Sequence, residues 1–201
     1  MGNTITLDIS KTSNIDQSSL LALKSHITSD PYNSLTNNWT TKTSICSWIG
    51  VTCDFRNNKV TELDISDMGL VGTIPPEIGN LSSLVKLNMR YNSFRGHIPL
   101  SLFNMSRLQD ISVMYNSLSG SLPDDMCSGR YNMRGRLRVL RLSFNNFNGE
   151  IPSSLDQCSQ LEFISLHKNN FVGNVPRQIG NMTRLRQLYL CWNNLTGWDR
   201  E

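Results

Sequence analysis

Nowhere in the 201 residues do 18 apolar residues run together, so no segment is long and apolar enough to cross a bilayer as a helix. The first 15 residues, MGNTITLDISKTSNI, are polar and lack the apolar centre of a secretory leader. Charge is modest in both signs: 19 Lys and Arg against 16 Asp and Glu leave a net +3, too small and too dispersed for a nucleic-acid partner. The three histidines, His26, His97 and His167, share no spacing that would build a metal site. No phosphate-cradling glycine loop, zinc-binding histidine helix or nucleophile elbow occurs. These absences argue against catalysis, a metal and a cofactor.

What is there is a repeat. Val60, Leu84, Leu108, Leu137, Leu161 and Leu185 open six copies of one phrase, spaced by 24 residues except for 29 between Leu108 and Leu137. In the second copy, LVKLNMRYNSFRGHIP, apolar residues stand at steps 1, 4 and 6, Asn at step 9, an apolar residue at 11, Gly at 13, then apolar-Pro. The Asn recurs as Asn92, Asn116, Asn145, Asn169 and Asn193, with Met68 in the first copy, and the Gly recurs in all six. This is the leucine-rich-repeat signature. Apolar residues at steps 4 and 6 predict a short strand with one buried face. One such unit cannot bury that face alone, so the copies stack into a solenoid with a parallel sheet on its concave side. The Asn bonds backbone groups in the turn after the strand, and Pro ends pairing because it has no donor. Small residues, Ser and Asn are expected to fill the opposite side.

A solenoid needs a cap over its first coil. Residues 16–29 predict a helix with Asp16 as N-cap and Leu20, Leu23 and Ile27 on one face. Trp39 and Trp48 add apolar surface beside Cys46 and Cys53. Two cysteines seven apart fit a metal half-site, a redox pair or a structural disulfide. Their place just before Val60, with no second Cys/His pair at zinc spacing, favours a disulfide that pins the cap. The organisation expected is a disordered leader remnant at 1–15, a cap at 16–59, and six repeats at 60–201, the last incomplete.

The phrases DQSSLLALKSHITSDP and NNWTTKTSICSWIGVTCD, followed by repeats carrying G-x-I-P, resemble the extracellular part of plant leucine-rich-repeat receptor kinases over residues 15–197. GTIPPEIGNLSSL and GEIPSSLDQCSQL are similar to the immune-receptor branch that includes the flagellin and elongation-factor receptors. The resemblance implies an α/β, right-handed solenoid on the extracellular side of the plasma membrane. It implies a peptide or protein ligand, a co-receptor kinase ectodomain as a second partner, and a serine/threonine kinase in the parent protein. It also implies a signal peptide and a membrane span that this sequence lacks. The repeats are fewer than in that branch, and the sixth stops at NNLTGWDRE, leaving Leu185, Leu188, Leu190 and Leu195 without a following coil. A fragment of a longer receptor is therefore expected. The alternatives are a secreted inhibitor of a cell-wall polygalacturonase or a short co-receptor-type ectodomain.

Steps 3, 5, 7 and 8 point out of the concave sheet, because 4 and 6 point in. That stripe is polar with aromatics and cations interspersed, the residue types that anchor binding sites. Its candidates for ligand contact are Lys86, Arg90, Tyr91, Tyr115, Arg141, Phe144, His167, Lys168, Tyr189 and Trp192. At step 8 a second role is open, support of the turn. Five sequons, at Asn38, Asn80, Asn104, Asn181 and Asn194, are candidate N-glycosylation sites, three of them in one repeat phase on the flank or back. Cys127 and Cys158 sit in neighbouring coils and could pair or remain buried thiols, and Cys191 is the odd one. The longer copy brings Arg130, Arg134, Arg136, Arg138 and Arg141 with no acid among them, and of these only Arg141 is expected on the concave face. An acidic ligand or a plainly solvated loop both fit that run.

Overall fold

A computed structural model of the chain describes residues 9–128, 131, 133 and 135–198. Among the sequence expectations, Arg130 and Arg134 lie outside the described residues, as do 1–8 of the expected leader.

Each repeat contributes one strand to the concave sheet: Val60–Asp64, Lys86–Asn88, Asp110–Ser112, Val139–Arg141, Phe163–Ser165 and Gln187–Tyr189. All five junctions are parallel and in phase, with Leu63 beside Leu87, then Ile111, Leu140, Ile164 and Leu188. These step-4 residues and the step-6 residues Ile65, Met89, Val113, Leu142 and Leu166 form the spine of one continuous core. The solenoid with a concave parallel sheet is thus as the repeat predicts.

The opposite side differs from the expectation. It is not a packing of small side chains but a second parallel sheet, built from Val71–Thr73, Ser93–His97, Ser117–Gly120, Asn146–Glu150, Asn170–Val175 and Asn194–Trp198. Its inward residues are those of step 11: Phe94, Leu118, Phe147 and Phe171 are buried, and Phe147 stacks on Phe171 at 6.4 Å. The recurring Gly sits in these strands and has positive φ in copies two to six, +88° at Gly120, where a Cβ would come within 2.6 Å of the His97 ring. After each Pro the chain leaves the sheet for a short helical turn, such as Pro76–Asn80, Ser153–Gln157 and Arg177–Asn181.

The Asn of step 9 joins the coils. The amide of Asn145 donates to the carbonyls of Val113 at 2.9 Å and Leu142 at 3.1 Å, and its oxygen accepts from the Leu118 N–H at 2.9 Å. Asn92, Asn116, Asn169 and Asn193 repeat the scheme one coil apart. Buried backbone groups at every turn are satisfied in this way.

The cap is built differently from the prediction in two respects. Its helix runs Ile9–Ser25, so it takes in half of the expected leader, and Asp16 lies in its interior. Asp16 is fully buried; Oδ2 accepts from the Val60 N–H at 3.0 Å, and the Lys59 ammonium lies 3.5 Å from Oδ1. The carboxylate serves the first repeat strand instead of capping its own helix. Ile27 is not on the helix but opens a strand, Ile27–Ser29, antiparallel to Val71–Thr73. Val51–Cys53 likewise pairs antiparallel with Val60–Asp64. The cap therefore supplies the first strand of both sheets and covers both N-terminal edges. Trp39 and Trp48 stack at 5.4 Å beneath it, and the Cys46–Cys53 disulfide holds the capping strand with Cα atoms 5.5 Å apart.

Cys127 and Cys158 are also bonded, with Cα atoms 5.2 Å apart, and clasp adjacent coils at the base of the longer copy. Cys191 is free and exposed. Leu185, Leu188, Leu190 and Leu195 of the sixth copy are only partly buried, whereas Leu137, Leu140 and Leu142 of the fourth are buried. No helix among the described residues is long and apolar enough to cross a membrane.

Candidate ligand-binding face

All ten candidate contact residues share the concave side, but they divide into two unlike groups. The first follows from the turn that ends each strand. At step 8 the backbone enters the left-handed region in every copy: φ is 57° at Asp67, 54° at Tyr91, 55° at Tyr115, 57° at Phe144, 51° at Lys168 and 60° at Trp192. Bulky residues seldom adopt this conformation. Here it aims every step-8 side chain the same way, and the chains stack into a ladder. Tyr91 lies on Tyr115 at 4.4 Å and Tyr115 on Phe144 at 3.9 Å, both nearly coplanar. The Lys168 ammonium sits 4.8 Å from the Phe144 ring and 5.3 Å from the Trp192 ring, and Arg90 lies over Tyr91 at 5.7 Å. The inner rungs Tyr115 and Phe144 spend their faces on each other and offer edges to solvent. The ends are open: Tyr91 is 47 % and Trp192 74 % exposed.

The second group is a charge lattice over copies one to four. Lys86 bonds Glu62 at 2.7 Å, Arg141 bonds Asp110 at 3.1 Å, and Asn88 donates to Asp64 at 3.0 Å. Arg141 also covers the Phe163 ring at 4.7 Å. Burial raises the Asp110 carboxyl above its ordinary value, against the pull of Arg141 and Lys86. Burial also works to raise Asp64, but bonds from the Ser66 hydroxyl and amide and from Asn88 outweigh it and hold that carboxyl down. These side chains surround a shallow depression of about 250 Å³, with Arg90 and Ser112 on its wall. Lys86 and Arg141 are therefore not free cations.

His167 sits where the two groups meet. Its Nδ1 is 2.8 Å from the Ser143 hydroxyl and 3.1 Å from that of Ser165, and both serines are buried. Its ring meets Phe144 edge-on at 4.8 Å and lies 6.1 Å from Tyr189. Burial, then the charge of Lys168, lowers its pKa. Tyr189 packs on Phe163 at 5.6 Å.

The carboxylates Glu62 and Asp110 escaped the sequence-based choice of contact residues. A signal for one existed: Glu62 and Lys86 stand 24 residues apart at the same step, so a stacked repeat brings them together. The sequons Asn80, Asn104, Asn181 and Asn194 have exposed side chains away from the concave strands, while Asn38 is partly buried with its oxygen bonded to the Ile49 N–H. Arg138 is on the flank, bonded to Glu162 at 2.8 Å. No cluster of metal-ligating side chains occurs among the described residues.

Comparison with known families matches residues 13–54 to the leucine-rich-repeat N-terminal domain, and residues 53–81, 83–105 and 136–158 to the leucine-rich repeat. The Arabidopsis thaliana LRR receptor-like serine/threonine-protein kinase EFR is 39% identical over 79 residues, which is 39% of this chain and 8% of the relative. The chain thus aligns with under a tenth of that receptor's length. Among solved structures, the Arabidopsis thaliana BIR2 ectodomain is 30% identical with a TM-score of 0.61, over 90% of this chain and 82% of that one. The Arabidopsis receptor kinase HAESA, in complex with the peptide hormone IDA and the co-receptor SERK1, is 29% identical with a TM-score of 0.64, over 88% of this chain and 33% of that one.

Proposed function

The chain belongs to the leucine-rich-repeat family, with a cap and repeats of the kind carried by plant receptor-like kinases, and from that premise we propose that it is the ligand-sensing part of such a receptor. It holds an extended peptide along the concave sheet, on the extracellular side of the plasma membrane, in immune or developmental signalling. The single observation that carries this is the ladder of step-8 side chains, rigid and open at Tyr91 and Trp192. Rigid aromatics next to cations are the usual anchors of recognition surfaces. HAESA, of the same fold, is seen with a peptide hormone and a co-receptor, and a co-receptor ectodomain is proposed here as the second partner. Two disulfides suit an oxidising compartment. Glycans at the exposed sequons would coat the flank and leave the concave face clear.

Six coils at about 4.8 Å each leave about 24 Å between the outer strands, room for about seven extended residues. A pool of seven-residue peptides panned on the immobilised chain tests the reading. Enriched peptides should lose at least about tenfold in affinity with Trp192→Ala or Arg90→Gln and keep it with Arg95→Gln on the second sheet. Loss with Arg95→Gln alone would move the site off the concave face and refute the reading.

A further inference from the structure

One flank of the solenoid, the edge by which the chain enters each concave strand, gathers five of the chain's nineteen Lys and Arg. Arg138 and Glu162 occupy step 2 of neighbouring copies, and Arg186 occupies step 2 of the next. The backbone ladder makes them neighbours: the Glu162 N–H donates to the Arg138 carbonyl at 2.9 Å and the Arg186 N–H to the Glu162 carbonyl at 2.8 Å. The Arg138 N–H donates to the Gln109 carbonyl at 2.8 Å, which brings Arg107, two residues from Gln109, to the same edge. Arg136 and Arg184 stand two residues ahead of Arg138 and Arg186.

Five arginines therefore line this edge against one carboxylate. The surplus of four exceeds the +3 of the whole chain, so the remainder of the sequence is slightly acidic. Glu162 is taken up by Arg138, and the charges of Arg186 and Arg184 help to hold its carboxyl below the ordinary range. Among the described residues, no carboxylate forms an ion pair with Arg107, Arg136, Arg184 or Arg186, and all four are exposed. Every cation of the row is an arginine, whose planar fork takes a carboxylate by two parallel bonds.

We propose that this edge binds a linear acidic polysaccharide, a chain of sugar units bearing carboxylates, laid along the solenoid axis across copies three to six. Two features select that occupant over a peptide or a membrane. The row spans four coils about 4.8 Å apart, with arginines in copies three, four and six and Glu162 in copy five, so it meets a long polymer better than one compact anion. None of the large exposed apolar side chains, such as Phe55, Tyr91, Leu100, Tyr189 and Trp192, belongs to the row. Protein partners and bilayers take much of their affinity from buried apolar anchors, whereas a hydrophilic polyanion is held by charge. This surface is separate from the concave face, and its occupation does not depend on the peptide-sensing reading.

The test is binding of the purified chain to oligogalacturonate of about ten units in 50 mM salt, with fully methyl-esterified oligomer, poly-glutamate and anionic vesicles as parallel arms. Binding is expected to the free acid, to be lost on esterification, and to fall at least about tenfold between 50 and 200 mM salt, as counterion release requires. The variant Arg107→Gln/Arg136→Gln/Arg184→Gln/Arg186→Gln should bind at least about tenfold more weakly, with an unchanged circular dichroism spectrum. Lys86→Gln/Arg90→Gln on the concave face should bind as the parent does. No binding by the parent, equal binding of the ester, tighter binding of poly-glutamate or vesicles, or equal loss in the concave variant would each overturn the proposal.

Discussion

Replacing Tyr115 by Ala and, separately, by Gly distinguishes what the ladder gives to the fold from what its backbone costs. Tyr115 stacks on both Tyr91 and Phe144 and holds φ at 55°. Each stacked pair contributes about 0.5–1.5 kcal/mol beyond area burial, so deleting the ring costs about 1–3 kcal/mol. Ala loses the ring but keeps a Cβ in the left-handed region, where an L-residue is disfavoured by about 1–2 kcal/mol. Gly loses the ring and that penalty together. The Gly variant should therefore be the more stable of the two by about 1 kcal/mol. At an ordinary strand position such as Arg95, which does not have positive φ, Gly should instead be less stable than Ala by about 0.5–1 kcal/mol. For a chain of this size 1 kcal/mol moves Tm by about 2–4 °C. Because stacked repeats can unfold in stages, urea melts should be paired with hydrogen exchange at the Asn116 N–H, which bonds the Phe144 carbonyl at 3.1 Å. If Tyr115→Gly proved less stable than Tyr115→Ala, the left-handed turn would not be the strained element argued here.

Two further predictions concern the cap and the centre of the face. Cys46→Ser removes a loop closure of seven residues' separation, worth about 2–3 kcal/mol in the chain-entropy account; secretion yield should fall more than with Cys191→Ser, and equal yields would contradict the capping role. His167 has a lowered pKa through burial and then Lys168, so as pH falls below the unfolded value near 6.5 the unfolded state gains its proton first and the fold loses stability until the native value is passed. His167→Gln should flatten that part of the stability–pH curve in denaturant melts, and an identical slope would show that the histidine is not coupled to folding.

The core was legible because burial repeats: an apolar residue at steps 4 and 6 in six copies leaves one solution, a shared inward face. The second sheet was not, because its strands offer only a few alternating residues and carry a Gly inside, which usually weakens a strand assignment. The left-handed turn was hidden for a different reason. Step 8 reads Asp67, Tyr91, Tyr115, Phe144, Lys168 and Trp192, none of them a residue that propensity places at positive φ, except for Asp67. The stacking that holds the turn involves neighbours 24 or 29 residues away, beyond any local pattern. Asp16 shows the same limit. A carboxylate ahead of an apolar periodicity has the look of an N-cap, and only the fold reveals that its partner is the Val60 N–H, 44 residues on.

The two halves of the concave face should contribute differently to recognition. Over copies one to four the cations Lys86 and Arg141 already have carboxylates, so a ligand's charge meets a surface that is locally neutral. Exchanging the exposed Lys86–Glu62 pair for a ligand pair gains little, since such pairs are worth at most about 1 kcal/mol, and drawing Arg141 away would leave the half-buried Asp110 without its partner; selection there falls to shape and hydrogen bonding in the depression between Glu62, Asp64 and Arg141. Over copies five and six Tyr189 and Trp192 are exposed aromatics, Trp192 beside Lys168, and among the described residues no carboxylate forms an ion pair with that lysine. An apolar or aromatic ligand side chain would bury surface there at about 25 cal/mol per Å². The affinity of an extended ligand should thus come mainly from its contacts near Trp192, and its register from the charge lattice near Asp110.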